Sequence, residues 1–464
     1  MKRQTPPAQC PACGAALARA ESGPPWCPAC EWNLGAYDPR VLPPRGWRWL
    51  ERFGHRVAFR LDRALYARLS ENRPTRPELT FARAVLVVLA ALLYLADAAA
   101  AGFGGYLLVQ HSSFWEVNLG VALLVLALVL RPRFGRVPAR SRRLDRARTP
   151  LLFELVDRVA AEVGAHPPVH IVLTLGDNAA IERCGMRGRT VLRIGGRLWV
   201  AMAPPQRVAM LAHEMGHTVS GDPNRGLVVQ PVMTTFGRLA EWTGAERTLH
   251  VIFHPTRPRG NIFALFGELL LWAISRIFLV LHLGFTAIGM REHHRAEYLA
   301  DAICVDVAGT DATVGLMDLL LHAESVERLL YHTALHRQPG HWRGTVEAFL
   351  HARQHGFALQ RQHSARTISL WDSHPPAGRR AQMLLAWPHQ APRLTLTDAQ
   401  SQLIDAQLHS WIDAVHRDVL GTRDFVERRT SAARPEIAAR LAAQRSEPDR
   451  SRRADLTAPR RLDL

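Results

Sequence analysis

The chain has 464 residues, 48% of them hydrophobic, and a formal net charge of +17 carried mostly by arginine. That length accommodates two or three domains and a large core. The start is polar and Pro-rich with no apolar run before the first cysteines, which speaks against a cleavable signal, so the mature chain is expected to begin near Met1.

In chain order, the first predicted element is a zinc ribbon over residues 1–35. Cys10-Pro11-Ala12-Cys13 and Cys27-Pro28-Ala29-Cys30 are two C-x-x-C knuckles thirteen residues apart. Four thiolates at that spacing hold a closed, tetrahedral zinc whose role is structural. The competing reading is two disulfides, and without a signal a reducing cytosol favours the metal. Cys184 and Cys304 stand alone and are expected as small buried hydrophobes.

Residues 36–83 read as a basic amphipathic juxtamembrane arm. Over 46–69, Leu50, Phe53, Val57, Leu61 and Leu65 fall on one helical face, with Arg48, Arg52, Arg56, Arg60 and Arg63 opposite. Ahead of a membrane segment, such a helix lies in the interface with its arginines on anionic head groups. Nucleic acid is the weaker partner, because no recognisable reading module accompanies the charge. Residues 84–130 then read as a transmembrane helical hairpin, with 84–109 long enough to span and 114–130 near the lower limit. The turn between them lacks Lys and Arg, whereas 131–148 carries eight arginines. The positive-inside rule therefore puts both flanks, with the N-terminus, in the cytoplasm. Asp97 interrupts the first span as either a functional carboxylate or one satisfied at a packing surface.

The largest domain is expected over 149–390. Residues 150–163 form an amphipathic helix, 169–175 a strand, and 190–201 a strand or hairpin around Gly195-Gly196, the expected edge for an added substrate strand. Past a helix start at Pro204-Pro205 comes His213-Glu214-Met215-Gly216-His217. On a helix, residues four apart lie one above the other, so His213 and His217 aim two imidazoles at one metal while Glu214 stands beside them as a base. A catalytic zinc takes three protein ligands. The third candidate is Glu297, with Asp301 one turn on, able to accept the free ring N–H of a ligand histidine. Ser220 and Pro223 exclude a metzincin, and residues 206–222 are too polar and short to bury the motif in a membrane.

Because His213 and Glu297 must meet at one metal, the chain between them crosses a membrane an even number of times. Residues 261–290 are apolar enough to span. They are expected as a long helix packed on protein or at the membrane surface, with a second membrane hairpin as the alternative. Glu268, Ser275, His282, Thr286, His293 and Glu297 would form a polar seam along it. Residues 391–422 make a C-terminal helix capped by Thr397 or Asp398, and 423–464 a basic tail expected to be disordered.

Four separated motifs resemble those of the integral-membrane zinc peptidase family that includes HtpX and the CAAX-prenyl endopeptidases, gluzincins of H-E-x-x-H and E-x-x-x-D type. Asp222 follows the first motif at the family's offset, and Glu297-Tyr298-Leu299-Ala300-Asp301 is similar to the second. Asp372-Ser373-His374-Pro375-Pro376 with Arg380 is similar to the family's late H-P motif and arginine. Asn178-Ala179 resembles its N-A element, with Ala180 where the family usually has an aromatic residue. The resemblance spans 149–387. It implies a mainly α fold with a small β-sheet, an α+β zincin domain set beside the ribbon and hairpin. It implies Glu214 and His374 as catalytic groups, the latter donating to the oxyanion, and a zinc on His213, His217 and Glu297. Asp301, Asp222 and Arg380 would stand behind those ligands, and Asn178 would contact substrate. With the ribbon on Cys10, Cys13, Cys27 and Cys30, that makes one catalytic and one structural zinc. The expected function is a membrane-anchored zinc metalloendopeptidase acting on protein substrates at the cytoplasmic face, with membrane lipid as a further partner. The alternative is a zinc-dependent membrane scaffold or adaptor, which would have no need of Glu214 beside its metal.

Overall fold

The computed structural model describes residues 9–10, 13–17, 27, 48–78, 80–110, 113–131, 142–185, 188–220, 229, 235–237, 239, 262–334, 342–354, 357–364, 368–369, 372 and 374–421. The expectations for Cys30, Asp222 and the tail 423–464 lie outside the described residues.

Helix α1 (Arg48–Glu71) leads into α2 (Phe81–Gln110) and α3 (Phe114–Leu130), which pack as an antiparallel pair. Their backbones meet at two glycines. A Cβ on Gly104 would lie 2.9 Å from the Gly120 carbonyl oxygen, and one on Gly120 would lie 2.9 Å from that of Gly104. Small residues at such a crossing let apolar helices pack without water-driven burial. Around the crossing Val88, Leu92, Leu95, Phe103, Trp115, Val125 and Leu128 are exposed, which gives the pair an apolar outward surface.

After β1 (Arg142–Arg143) comes α4 (Pro150–Val163), then β2 (His170–Thr174), β3 (Ala180–Cys184) and β4 (Arg189–Gly195). Pro150 opens α4 where a missing N–H costs nothing. Gly164, at φ 74, closes it by donating its N–H to the carbonyls of Ala160 and Ala161. The strand order is β1-β2-β4-β3, with β2 parallel to β4 and β3 antiparallel to it, so β3 is an edge strand. This corrects the expectation for 190–201. Its first half is the inner strand β4 and its second half is a short helix, α5 (Gly196–Ala201). The two glycines serve close packing rather than a hairpin turn. A Cβ on Gly195 would strike the backbone oxygens of Asn178 and Gly176, and one on Gly196 would strike Val415.

Helix α6 (Pro204–Val219) carries the H-E-x-x-H residues and is buried along most of its length. Then comes α7 (Ile262–Ala308), 47 residues without a break, about 70 Å at 1.5 Å per residue. Thus residues 262–290 of the apolar stretch and the Glu297–Asp301 pair belong to one rod. Its earlier part packs beside α2, where Phe285 joins Leu86, Ala90, Val229 and Phe236, while Ile277, Val280 and Ile288 remain exposed. Its later part crosses α6 so closely that a Cβ on Gly216 would sit 3.1 Å from the Cα of Ala300. Helices α8 (Thr310–Leu321), α9 (Ala323–Ala334), α10 (Trp342–Arg353), α11 (Phe357–Ser364), α12 (Ala377–Ala386) and α13 (Asp398–Gln407), with helical residues 409–421, complete the shell. Thr397 and Gln400 cap α13 reciprocally, Gln400 N–H donating to Thr397 Oγ1 and Thr397 N–H to Gln400 Oε1.

One core joins these parts: Leu152 and Val156 of α4, Ile171 of β2, Ile194 of β4, Leu211 and Met215 of α6, Tyr298 and Val305 of α7, and Leu384 of α12. Each large apolar side chain removed from water there contributes about 1.5–3 kcal/mol. Leu65 and Leu69 of α1 belong to the same core. The buried face of α1 runs through His55, Ala58, Asp62, Leu65 and Leu69, whereas Val57 and Leu61 are only half-buried. The arm therefore docks on this core along a face rotated from the expected apolar one, leaving Arg60, Arg63 and Arg68 exposed.

Candidate metal centre and active site

The crossing of α6 and α7 brings three donors to one point. His213 Nε2 and His217 Nε2 are 3.1 Å apart. Glu297 Oε2 lies 3.5 Å from His213 Nε2, and Glu297 Oε1 lies 3.2 Å from His217 Nε2. Ligands at 2.0–2.1 Å from a tetrahedral zinc stand about 3.3 Å from one another, so this triangle already has the required size. Both Glu297 oxygens are fully buried, yet neither accepts a well-aligned hydrogen bond from the described residues. Such a carboxylate is costly to bury without a cation.

The surroundings point the same way. His213 turns Nδ1 to Asp301 Oδ1 at 3.0 Å, the relation that fixes the tautomer of a ligand imidazole. Arg380 holds Asp301 in a fork, Nη2 to Oδ1 at 2.5 Å and Nε to Oδ2 at 2.8 Å. Burial opposes ionisation of Asp301, but the Arg380 guanidinium outweighs it and keeps the carboxyl below its ordinary value. Burial likewise opposes Glu297, and His217 and His374 outweigh it to hold that carboxyl well below the carboxylate range. Burial and Arg380 depress His213, yet the carboxylates of Asp301 and Glu297 beside it raise it to about 9. Arg380 Nη1 also lies 3.8 Å from Glu297 Oε2, so one guanidinium serves both buried carboxylates, Glu297 and Asp301. The convergence of two imidazoles and a carboxylate suits a divalent cation.

Glu214 points toward the sheet. The N–H of Ile181, on edge strand β3, donates to Glu214 Oε2 at 2.8 Å. His374, with its side chain 33% exposed, stands at the mouth with Nδ1 2.9 Å from Glu297 Oε2. Its ring faces that of His293, the centroids 6.2 Å apart. His293 Nε2 lies 3.9 Å from Glu297 Oε1. Of the expected polar seam, Ser275 and His293 are buried, and His293 joins the site. His293 was legible only as part of that seam, although its four-residue spacing from Glu297 puts it on the same helical face.

His213, Glu214, His217, Glu297, Asp301, His374 and Arg380 are thus brought together. Asn178 is exposed, two residues before β3, and is not among the residues that converge here. At the other end of the chain Cys10, Cys13 and Cys27 converge, with Cys13 and Cys27 Sγ 3.4 Å apart. Gly14, at φ 76, lets the knuckle close, its N–H donating to the Cys10 carbonyl. No described cysteine forms a disulfide. Cys184 and Cys304 are buried as expected, and burial pushes the Cys304 thiol up to about 12.

Comparison with known proteins points to one group. The chain is 26% identical over 177 residues to Protease HtpX of Pseudomonas savastanoi pv. phaseolicola (strain 1448A / Race 6), a stretch covering 38% of this chain and 57% of that relative. It is 25% identical over 238 residues to Protease HtpX of Pseudomonas putida (strain GB-1), covering 50% of this chain and 70% of the relative. The chain therefore spans 57% of the length of the first of these curated relatives. No family model matches the chain, and no solved structure matches it. These likenesses support the HtpX family and a kinship with its proteases. The apolar helices Phe81–Gln110 and Trp272–Ala308 accompany them, each long enough to cross a membrane.

Proposed function

We propose that this chain is a membrane-anchored zinc endopeptidase that hydrolyses protein substrates at the cytoplasmic membrane face. The observation that carries the reading is the triangle of His213, His217 and Glu297, with Glu214 from the same helix turned to the edge strand β3. A zinc ion held by those three residues would supply Lewis-acid activation of water and the scissile carbonyl. Glu214 takes the proton of the attacking water and returns it to the leaving nitrogen. Asp301 and Arg380 keep His213 in one tautomer and orientation while this happens. His374 turns one ring nitrogen to Glu297 and has the other for the developing oxyanion.

Substrate binds as an added strand on β3. Alternate residues of β3 serve β4, and the Ile181 N–H turned to Glu214 marks the outward set, so an extended peptide paired there lies across the base. Asn178 stands at the entrance to that edge.

The arginine-rich flanks of the hairpin argue for a cytoplasmic site. The packing of α7 against α2, together with Phe236, argues for a second membrane hairpin and hence an even number of crossings between His213 and Glu297. Exposed Arg60, Arg63 and Arg68 suit anionic lipid. Cys10, Cys13 and Cys27, joined by Cys30, suit a structural zinc. Damaged membrane proteins are the substrate class that the likeness to HtpX suggests.

The deciding experiment measures zinc content and casein cleavage by detergent-purified protein, wild type against Glu214→Gln. Two zincs per chain in both, with cleavage lost only in the variant, is the expected result. Two zincs with no cleavage by the wild type favours the scaffold or adaptor instead.

A further inference from the structure

Proteolysis as described leaves Asp62, Glu292 and Asp318 as buried carboxylates without a role. Asp62, 1% exposed, lies on α1 within what composition marks as a basic arm. Its Oδ1 accepts the Tyr298 hydroxyl at 3.1 Å, and its Oδ2 accepts Arg379 Nε at 3.0 Å. Tyr298 follows Glu297 on α7, and Arg379 precedes Arg380 on α12. One carboxylate therefore ties the helix of the third ligand to the helix whose guanidinium holds Asp301. The Arg379 guanidinium also stacks over Tyr66 of α1, 4.1 Å from the ring centroid.

Two more bonds extend the grip. His55 Nδ1 donates to the carbonyl of Ile368 at 2.8 Å, in the stretch leading to His374. Trp387 Nε1 donates to the carbonyl of Leu69 at 2.8 Å, just past α12. The three segments that bring His374, Arg380 and Glu297 together are all held by α1. Mere attachment of an arm would not require a buried ion pair, since apolar residues of similar volume anchor a helix at least as well. What an ion pair with both carboxylate oxygens engaged adds is a fixed geometry between the two helices it joins.

We propose that Asp62 is a positioning residue of the active site, setting the placement of Glu297 relative to Asp301, Arg380 and His213 through Tyr298 and Arg379. Its effect on turnover rests on the peptidase reading, whereas its effect on metal binding rests on the metal centre alone. The arm is then part of the catalytic unit, and whatever occupies the N-terminal module or the arm's exposed arginines acts on the site through one helix.

The test uses the full chain in detergent with Co(II) in place of zinc, comparing wild type, Asp62→Asn and the double variant Asp62→Asn/Arg379→Gln. The ribbon thiolates give a near-ultraviolet charge-transfer band, the internal reference, together with visible d–d bands of their own. The imidazole–carboxylate centre is therefore read as the visible bands that persist when each protein is also prepared with Cys10→Ser and Cys13→Ser. Asp62→Asn is expected to shift the visible bands, weaken Co(II) at that centre by about tenfold or more, and leave the thiolate band unchanged. It should lower kcat on casein by a similar factor with KM within about twofold. The double variant, with no unpaired charge, should regain thermal stability without regaining the spectrum or kcat. Should Asp62→Asn fail to fold, the double variant carries the comparison alone. Wild-type spectrum and kcat in Asp62→Asn, or their full return in the double variant, would overturn the proposal and leave the pair a stability contact. Cleavage absent from the wild type while the visible bands still shift would sink the peptidase reading and not this one.

Discussion

Glu297 stands among four imidazoles, and what each oxygen faces decides which substitutions are informative. Oε1 looks toward His217 and His293, Oε2 toward His213 and His374. Replacing Glu297 would disturb all of these at once, so Asp301 is the cleaner probe, one contact removed from the metal. Asp301→Asn preserves volume and breaks the fork with Arg380, leaving the buried guanidinium only the more distant Glu297 at 3.8 Å, at a cost of about 3 kcal/mol. Zinc affinity at the centre should fall about 10–100-fold in equilibrium dialysis, and an unchanged affinity would mean that Asp301 only braces Arg380. His213, Glu214, His217, Glu297 and Asp301 were legible in the sequence because helical periodicity is local: spacings of four and one turn carry their own geometry. Asp62 was not legible. A lone carboxylate on a basic stripe reads as a solvated residue until the partner surface bearing Tyr298 and Arg379 is known.

At the scale of elements, the site exists because α6 and α7 cross with almost no space between them. Gly216, inside the H-E-x-x-H motif, faces the Cα of Ala300 within the E-x-x-x-D turn. Gly216→Ala forces a methyl against core backbone and should cost about 1–3 kcal/mol, as overpacked cores do. A lowered melting temperature and weaker zinc retention are the expected readouts, and a variant as stable as wild type would show that the helices separate freely. The sequence identified both helices, but their contact depends on residues eighty-four positions apart and no local pattern encodes it. The same limit explains β3 and β4. Gly195-Gly196 has the composition of a turn, yet the glycines are demanded by the backbone at 176–178 and by Val415. An edge is defined by the missing neighbour, which is a property of the folded sheet rather than of the strand. If β3 is the substrate edge, a Pro at Arg183 removes one outward N–H and should raise KM severalfold while sparing zinc content.

For the whole molecule, an even number of membrane crossings between His213 and Glu297 is what the proposed metal centre requires, since both ligands must meet at one ion. What the sequence left open is the fate of residues 261–290, because length and hydropathy are alike for a core helix and a span. The structure makes residues 262–290 the near end of the rod that carries Glu297, packed on α2 beside the glycine-bonded hairpin. That continuity has a mechanical consequence. Ser275 and Glu297 are twenty-two residues apart on α7, about 33 Å along an unbroken helix. A tilt of about 5° at the apolar end swings the other by about 3 Å, comparable to the separations within the ligand triangle. Helices of fixed hydrophobic length tilt to match the lipid around them. Reconstituted into vesicles of graded acyl length, the protein should therefore show a cleavage optimum at one thickness, and a flat profile would mean that the core clamps α7 firmly enough to isolate it. With such an optimum, the bilayer itself is a gauge wired to the third ligand, and thinning or thickening the membrane retunes the metal without any messenger.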